Sequence, residues 1–331
     1  MKNLKLLKGL LAAGVAGSML VGCGSQTQES GSAMKKVAII QYVEHSSLNT
    51  IKSAFDAEMK SLGYEDGKNV EYTFKNAQGD TNTAASIIQD FKGQNPDVVM
   101  AIATPVAQSA ANLASTTPVV FAAVSDPVGA KLMTNLEKPD KNITGTSDEI
   151  QVELILQRAL EVNPDLKKLG VIYNKGEANS VTNINKAKEF AKEKGIEIVE
   201  ATVTGINEVQ SAINVLTSKC DAVFAPNDNT VASAMNVVGP ACAKAKVPLY
   251  VGADSMVQDG GFLSVGINYE DLGKETAQMV DKVLKGTKVE DIPVKVFKEN
   301  LNIYVNESVL SQLGIKLPES IQNDKALSMM K

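Results

Sequence analysis

From Lys35 onward the chain alternates short apolar runs with longer segments whose apolar residues recur every three or four positions. KKVAIIQY (35–42) predicts a strand. LNTIKSAFDAEMKSLG (48–63) sets Leu48, Ile51, Phe55, Met59 and Leu62 on one helical face and stops at Gly63. VEYTF (70–74) predicts a strand, ASIIQDF (85–91) a helix, DVVMAIA (97–103) a strand, VAQSAANLA (106–114) a helix and PVVFAA (118–123) a strand. Apolar strands alternating with amphipathic helices predict parallel sheet covered on both faces.

The series then recurs. KKVAIIQYVEHSSLN (35–49) aligns with KKLGVIYNKGEANSV (167–181), NPDVVMAIATPVAQSAA (95–111) with KCDAVFAPNDNTVASAM (219–235), and TPVVFAAVSDP (117–127) with VPLYVGADSM (247–256). Three blocks in the same order at similar spacing read as a duplication. The fold class is therefore α/β, with two Rossmann-like open parallel-sheet lobes joined by hinge strands. The strand and helix of 260–286 and the strand-like 293–306 read as a tail that crosses between lobes. The expected boundaries are 35–145 plus 267–290 for the N-terminal lobe and 146–266 plus 291–331 for the C-terminal lobe. Ligands of open parallel sheets sit beyond the carboxyl ends of the strands. The repeat identifies the loops there as 43–47, 103–106 and 124–127 in one lobe and 174–180, 226–230 and 252–256 in the other. They are polar and precede helices, so facing lobes would line one cleft with them.

Composition narrows the chemistry. The 331 residues carry a formal net charge of −5 with a pI near 5.2, which argues against a nucleic-acid partner. Arg158 is the single arginine, so no arginine clamp for phosphate exists. MKNLKLLKGL and the apolar stretch to Gly22 have the charged-then-apolar layout of a secretory signal, residues 1–22, too short to span a bilayer. It ends Leu20-Val21-Gly22-Cys23, which resembles the bacterial lipobox with Cys23 as the lipidated residue. GSQTQESGSAM (24–34) reads as a flexible tether. Cys220 and Cys242 fit no zinc or redox spacing and read as free buried thiols, with their pairing left open.

One histidine, His45, has no defined partner for a catalytic triad. No phosphate-binding glycine loop is present. No cofactor, no resident metal and no enzymatic activity are expected. Asp126, Asp228 and Asp254 could share a Ca²⁺, but isolated loop acids read better as caps or ligand contacts. Thr104-Pro105 suits a helix start able to seat an anion, and the loop acids suit a cation. An anion seat opposite an acid is what a zwitterionic amino acid requires.

AIATPVAQ (101–108), FAAVSDPVGAKL (121–132), NITGTSD (142–148), GVIYNKGEANS (170–180), APNDNTVASAM (225–235) and GGFLSVGINYEDLG (260–273), together with the lipobox, carry a family resemblance. The chain resembles the substrate-binding lipoproteins of bacterial ABC importers, of the type I periplasmic-binding-protein fold, and among them the tryptophan/tyrosine-binding branch. The resemblance implies a monomer that closes its lobes on a free amino acid, aromatic in side chain, and delivers it to a membrane permease. It implies a protein held outside the cytoplasm by its lipid anchor, on a Gram-positive cell surface. Tyr42, Phe121, Tyr173 and Tyr269 are candidates to line the aromatic pocket. Expected ligand contacts are Glu44, Ser46, Thr104, Ser125 and Asp126 from the first lobe, and Asn174, Asn179, Ser180, Asn227, Asp228 and Asp254 from the second. Asp228 is expected to take the α-ammonium and the Thr104 helix start the carboxylate. The alternatives are a surface adhesin or sensor lipoprotein on the same fold, or a binder of another small polar solute.

Overall fold

The computed structural model describes residues 34–299 and 301–331; the expectations for the signal, Cys23 and the tether up to residue 33 lie outside the described residues. Strands β1 (Lys35–Gln41), β2 (Val70–Asn76), β3 (Val98–Ile102), β4 (Val119–Ala122) and β5 (Ile143–Ser147) form a parallel sheet in the order β5-β4-β3-β1-β2. Strands β6 (Lys168–Asn174), β7 (Glu197–Val203), β8 (Ala222–Ala225), β9 (Leu249–Val251) and β10 (Leu263–Gly266) repeat that order as β10-β9-β8-β6-β7. The duplication read from the sequence is thus a duplication of topology. The central strands β3, β4, β8 and β9 are buried along their whole length, as sheets with helices on both faces require. Edge strands β2 and β7 carry exposed positions instead.

Three further strands complete the sheets. β11 (Lys295–Val296) pairs with β5; β12 (Asn302–Asn306) runs antiparallel to β10, and β13 (Leu327–Met330) pairs with β12. The chain therefore passes between sheets after Ser147, after Gly266 and after Val296. The last crossing falls later than residue 290. Ile292 and Val294 are buried, Thr144 donates its hydroxyl to the Ile292 carbonyl at 2.7 Å, and the Val294 amide donates to Leu136 at 2.8 Å. These contacts keep residues 291–296 with the first sheet, and β5 continues to Ser147, past residue 145.

The helix Tyr269–Leu284 follows the second crossing and returns to the first lobe. Asn268 caps it by accepting from the Glu270 amide at 2.7 Å. It packs against the helix Ser46–Ser61, where a Cβ on Gly273 would stand 2.5 Å from the Ile51 carbonyl. Only a glycine allows that approach. The helix read at 85–91 spans Thr81–Gln94, because Asp80 accepts from the Thr83 amide and starts it one turn earlier than the apolar positions suggest. Cys220 and Cys242 are both buried and free.

Candidate functional site

The carboxyl ends of both sheets meet at a narrow cavity. Every one of the six loops marked by the repeat contributes to its wall: His45 and Ser47, Ala103, Ser125, Asn179, Asn227 and Asn229, and Met256. Leu48, Ala123 and Ala232 extend those loops, while Asp148 and Tyr269 enter from the first and second crossings. About 10 Å³ stays open to the centre of a water-sized sphere, room for about one water. Ala103 (φ 90°) and Ala123 (φ 56°) end β3 and β4 in left-handed backbone that side chains disfavour. Such strain collects where a fold serves a site. Gly252 answers a different demand: a Cβ there would stand 2.5 Å from the Asn227 amide, so the loop after β9 can lie against the loop after β8.

Asp148 organises the hinge end. It is 5% exposed and accepts from the Ser125 hydroxyl at 2.9 Å, the Tyr269 phenol at 2.9 Å and the Asn227 side-chain amide at 2.6 Å. Ser125 and Tyr269 belong to the first lobe and Asn227 to the second, so one carboxylate ties both lobes. The same Asn227 nitrogen donates to Ser125 at 2.8 Å, and its carbonyl accepts from Asn183 at 2.9 Å. Burial pushes the Asp148 carboxyl above its ordinary range, against the three donors that pull it down. Burial, with the Asp148 charge, also raises the Tyr269 phenol.

The other end is built on lobe two. Glu177 accepts from the Asn229 amide at 3.1 Å, the Asn229 side-chain nitrogen at 2.5 Å, the Thr230 amide at 3.1 Å and the Thr230 hydroxyl at 3.0 Å. Burial first, and the Asp228 charge second, push the Glu177 carboxyl up, against the Asn229 and Thr230 donors that hold it as the anion. Asn229 then faces His45 across the cleft, with its carbonyl oxygen 3.2 Å from Nε2. Ser47 and Ser255 make a second bridge between lobes, hydroxyl to hydroxyl at 2.5 Å. Two side-chain atoms of the lining residues are closed to solvent and have no partner among the described residues: His45 Nδ1 and Asn179 Oδ1. Asn179 Oδ1 is an acceptor, with its own nitrogen committed to the Asn227 carbonyl at 3.1 Å; the role of His45 Nδ1 follows from which ring nitrogen holds the proton. The wall carries no lysine or arginine among the described residues. Its spare capacity accepts hydrogen bonds and favours positive charge.

Ser125, Asn179 and Asn227 are the expected contacts that line this cavity. Asp228 does not. Its carboxylate is spent inside lobe two, accepting from the Asn174 amide at 2.7 Å, the Ser180 hydroxyl at 2.7 Å and the Val231 amide at 2.8 Å, the last as cap of the helix Asn229–Ala232. The roles expected within APNDNT are therefore exchanged: Asp228 caps, and Asn229 faces the cleft. Asn174 and Ser180 belong to the same internal network. Glu44 is exposed, and Ser46 yields its place on the wall to Ser47. Asp126 accepts from the Gly129 amide at 2.8 Å in its own loop. Asp254 begins the helix Asp254–Gln258 and accepts from the Ser255 amide at 2.7 Å; burial pushes its carboxyl up to about 6. Thr104 is buried beside Ala103, with its hydroxyl unpartnered among the described residues. Of the four aromatic candidates Tyr269 reaches the cavity, whereas Tyr42 donates to the Gly79 carbonyl, Tyr173 to Glu200, and Phe121 sits in the core. Among the polar residues of the wall, His45, Ser47, Asp148 and Asn229 were not among the expected contacts. Asp148 is the first residue beyond β5, on the first crossing and outside the repeated loops.

A family model described as ABC transporter substrate binding protein matches residues 36–327. A tyrosine-binding protein of Clostridioides difficile is 36% identical over 325 residues, covering 95% of this chain and 94% of that protein. A Streptococcus pneumoniae ABC domain in complex with L-Trp superposes with a TM-score of 0.85 at 34% identity, over 90% of this chain and 100% of that one. The ligand-free, open structure of a Clostridium difficile substrate-binding protein with adhesive properties gives a TM-score of 0.66 at 38% identity, over 90% of this chain and 99% of that one.

Proposed function

We propose, from the premise that this chain belongs to the ABC transporter substrate-binding proteins, that it captures a free aromatic amino acid between its lobes for import. The observation that carries the reading is Asp148: a buried carboxylate at the junction of both lobes, in a wall with spare acceptors and no basic side chain among the described residues. Such a wall recognises an ammonium group. The α-ammonium of the ligand bonds Asp148, with Asn179 Oδ1 as a second acceptor. The Thr104 hydroxyl, buried without a partner, serves the carboxylate. Leu48, Ala232, Met256 and Tyr269 surround the side chain. The relatives that bind tyrosine and tryptophan support an aromatic ligand.

The lobes stand close together here. The contacts Asn227–Asp148, His45–Asn229 and Ser47–Ser255 join them directly. The higher TM-score to the L-Trp complex than to the open structure, at similar identity, supports a closed relation of the lobes. A cavity with room for one water admits no amino acid, so entry requires the lobes to part about the three crossings and the direct bridges to break. Closure on ligand then follows from contacts that both lobes make only together.

A thermal-shift screen of the purified protein against free amino acids, sugars and nucleosides tests the reading, because a ligand of the native state raises the melting temperature. A shift with tyrosine or tryptophan supports it; a shift only with a sugar or nucleoside refutes it. Lipid attachment at Cys23, an extracytoplasmic location on a Gram-positive surface, and delivery to a permease as a monomer belong to the same proposal. A second reading, attachment to host surfaces, has one observation in its favour, the adhesive properties of the Clostridium difficile relative. Host-cell binding by the purified protein, with and without amino acid, separates the two.

A further inference from the structure

His45 is the one histidine of the chain, and its hydrogen bonding settles which ring nitrogen holds the proton. The Asn229 side-chain nitrogen donates to the Glu177 carboxylate, so the Asn229 carbonyl oxygen is what faces His45. The opposite orientation would set oxygen against carboxylate. His45 Nε2 must therefore donate, and in a neutral ring Nδ1 is then a bare lone pair. Burial favours the neutral ring, lowering His45 to about 4. Nδ1 is closed to solvent and has no partner among the described residues, although the residue as a whole is only half-buried.

The surroundings say what kind of donor belongs there. Leu48, on the helix that follows His45, Ala232, one turn after Asn229, and Met256, on the facing loop, line the same cavity as His45 and give its wall apolar side chains. The carboxylates behind it offer no seat for a cation. Neither Glu177 nor Asp228 lines the cavity, and both are taken up by donors inside lobe two. Asp148 and its partners form a separate network, to which the proposed function assigns the α-ammonium. What remains is a neutral acceptor at the edge of an apolar wall. We infer that His45 Nδ1 accepts a hydrogen bond from the ligand's side chain, a phenol O–H or an indole N–H, and so separates tyrosine and tryptophan from phenylalanine. The inference rests on the amino-acid reading proposed above. A ligand without the donor leaves Nδ1 buried and unpaired, which weakens binding roughly ten- to a hundredfold.

The test titrates tyrosine, tryptophan and phenylalanine into the wild-type protein and into His45→Phe by calorimetry. It also follows the single imidazole by ¹⁵N NMR in wild type. The expected result is at least about a tenfold preference for tyrosine over phenylalanine, falling towards unity in His45→Phe. In the spectrum, Nε2 is protonated and Nδ1 bare, and Nδ1 moves on adding tyrosine but not phenylalanine. Equal affinity of wild type for all three amino acids overturns the inference and leaves the amino-acid reading standing. So does a ring protonated at Nδ1 at neutral pH, a measurement that does not depend on the variant folding. Binding of none of the three removes the amino-acid reading, and the inference falls with it.

Discussion

Replacing Asp148 by Asn separates recognition from stability, because the two respond with opposite sign. The substitution keeps the shape and removes the charge. The carboxylate is buried, and burial holds its carboxyl above the ordinary range, so its ionised form costs stability at neutral pH. The Ser125 and Tyr269 hydroxyls can rotate to suit an amide oxygen and nitrogen, and the bond from Asn227 at 2.6 Å can be retained by the new carbonyl. Asp148→Asn is therefore expected to melt at the wild-type temperature or above. Ligand binding loses a charge-assisted bond to ammonium, worth about 1.5–3 kcal/mol, or roughly 10- to 150-fold in Kd. Paired calorimetric titrations with tyrosine and tryptophan, alongside thermal melts without ligand, read both quantities. Wild-type affinity in a folded Asp148→Asn protein would refute the assignment of Asp148 to the ammonium. So would a large fall in melting temperature together with the loss of binding, since the residue would then be structural.

The remaining expectations concern stability and the anchor. Asp228→Ala strands the Asn174 and Val231 amides and the Ser180 hydroxyl, so urea unfolding should show a loss of at least about 3 kcal/mol, with any loss of binding secondary to it. His45, lowered to about 4 from 6.5 by burial, contributes stability that is present above pH 6.5 and lost as pH falls through 4. The wild-type advantage over His45→Gln should shrink by up to about 3 kcal/mol between pH 7 and pH 4, measured by urea unfolding at each pH. Asp254 works in the other direction. Its carboxyl, raised to about 6 from 3.8, contributes stability present below pH 3.8 and lost as pH rises through 6, so Asp254→Asn should gain on wild type across that window. Gly273→Val drives side-chain atoms into the Ile51 carbonyl and should lower the melting temperature markedly, by about 1–3 kcal/mol or more of overpacking, as seen by calorimetry. Cys23→Ser should abolish labelling by a fatty-acid analogue in cells while the purified protein still binds its ligand.

The architecture was legible because the signals for it are local and repeated. β1, β3 and β4 each have a counterpart of the same pattern in β6, β8 and β9, and the loops after them mark the cleft without knowledge of any contact. Individual site residues were less legible. Within APNDNT every residue can cap a helix, and the choice between Asp228 and Asn229 depends on Glu177, which is remote in sequence and becomes a partner of Asn229 only when β6 lies beside β8. Asp148 was hidden because it lies on a crossing and not in a repeated loop; its value arises from Tyr269 and Asn227 meeting it from two lobes. The last crossing was placed early because β11 is two residues long and its buried neighbours Ile292 and Val294 resemble any strand.

The most direct test is a pair of calorimetric titrations of the purified protein: L-tyrosine, and the same molecule lacking its α-amino group. Recognition through Asp148 predicts that tyrosine binds and that the deaminated acid binds at least about tenfold more weakly. Equal binding of the two, or binding of neither beside tight binding of an uncharged polyol, would contradict it.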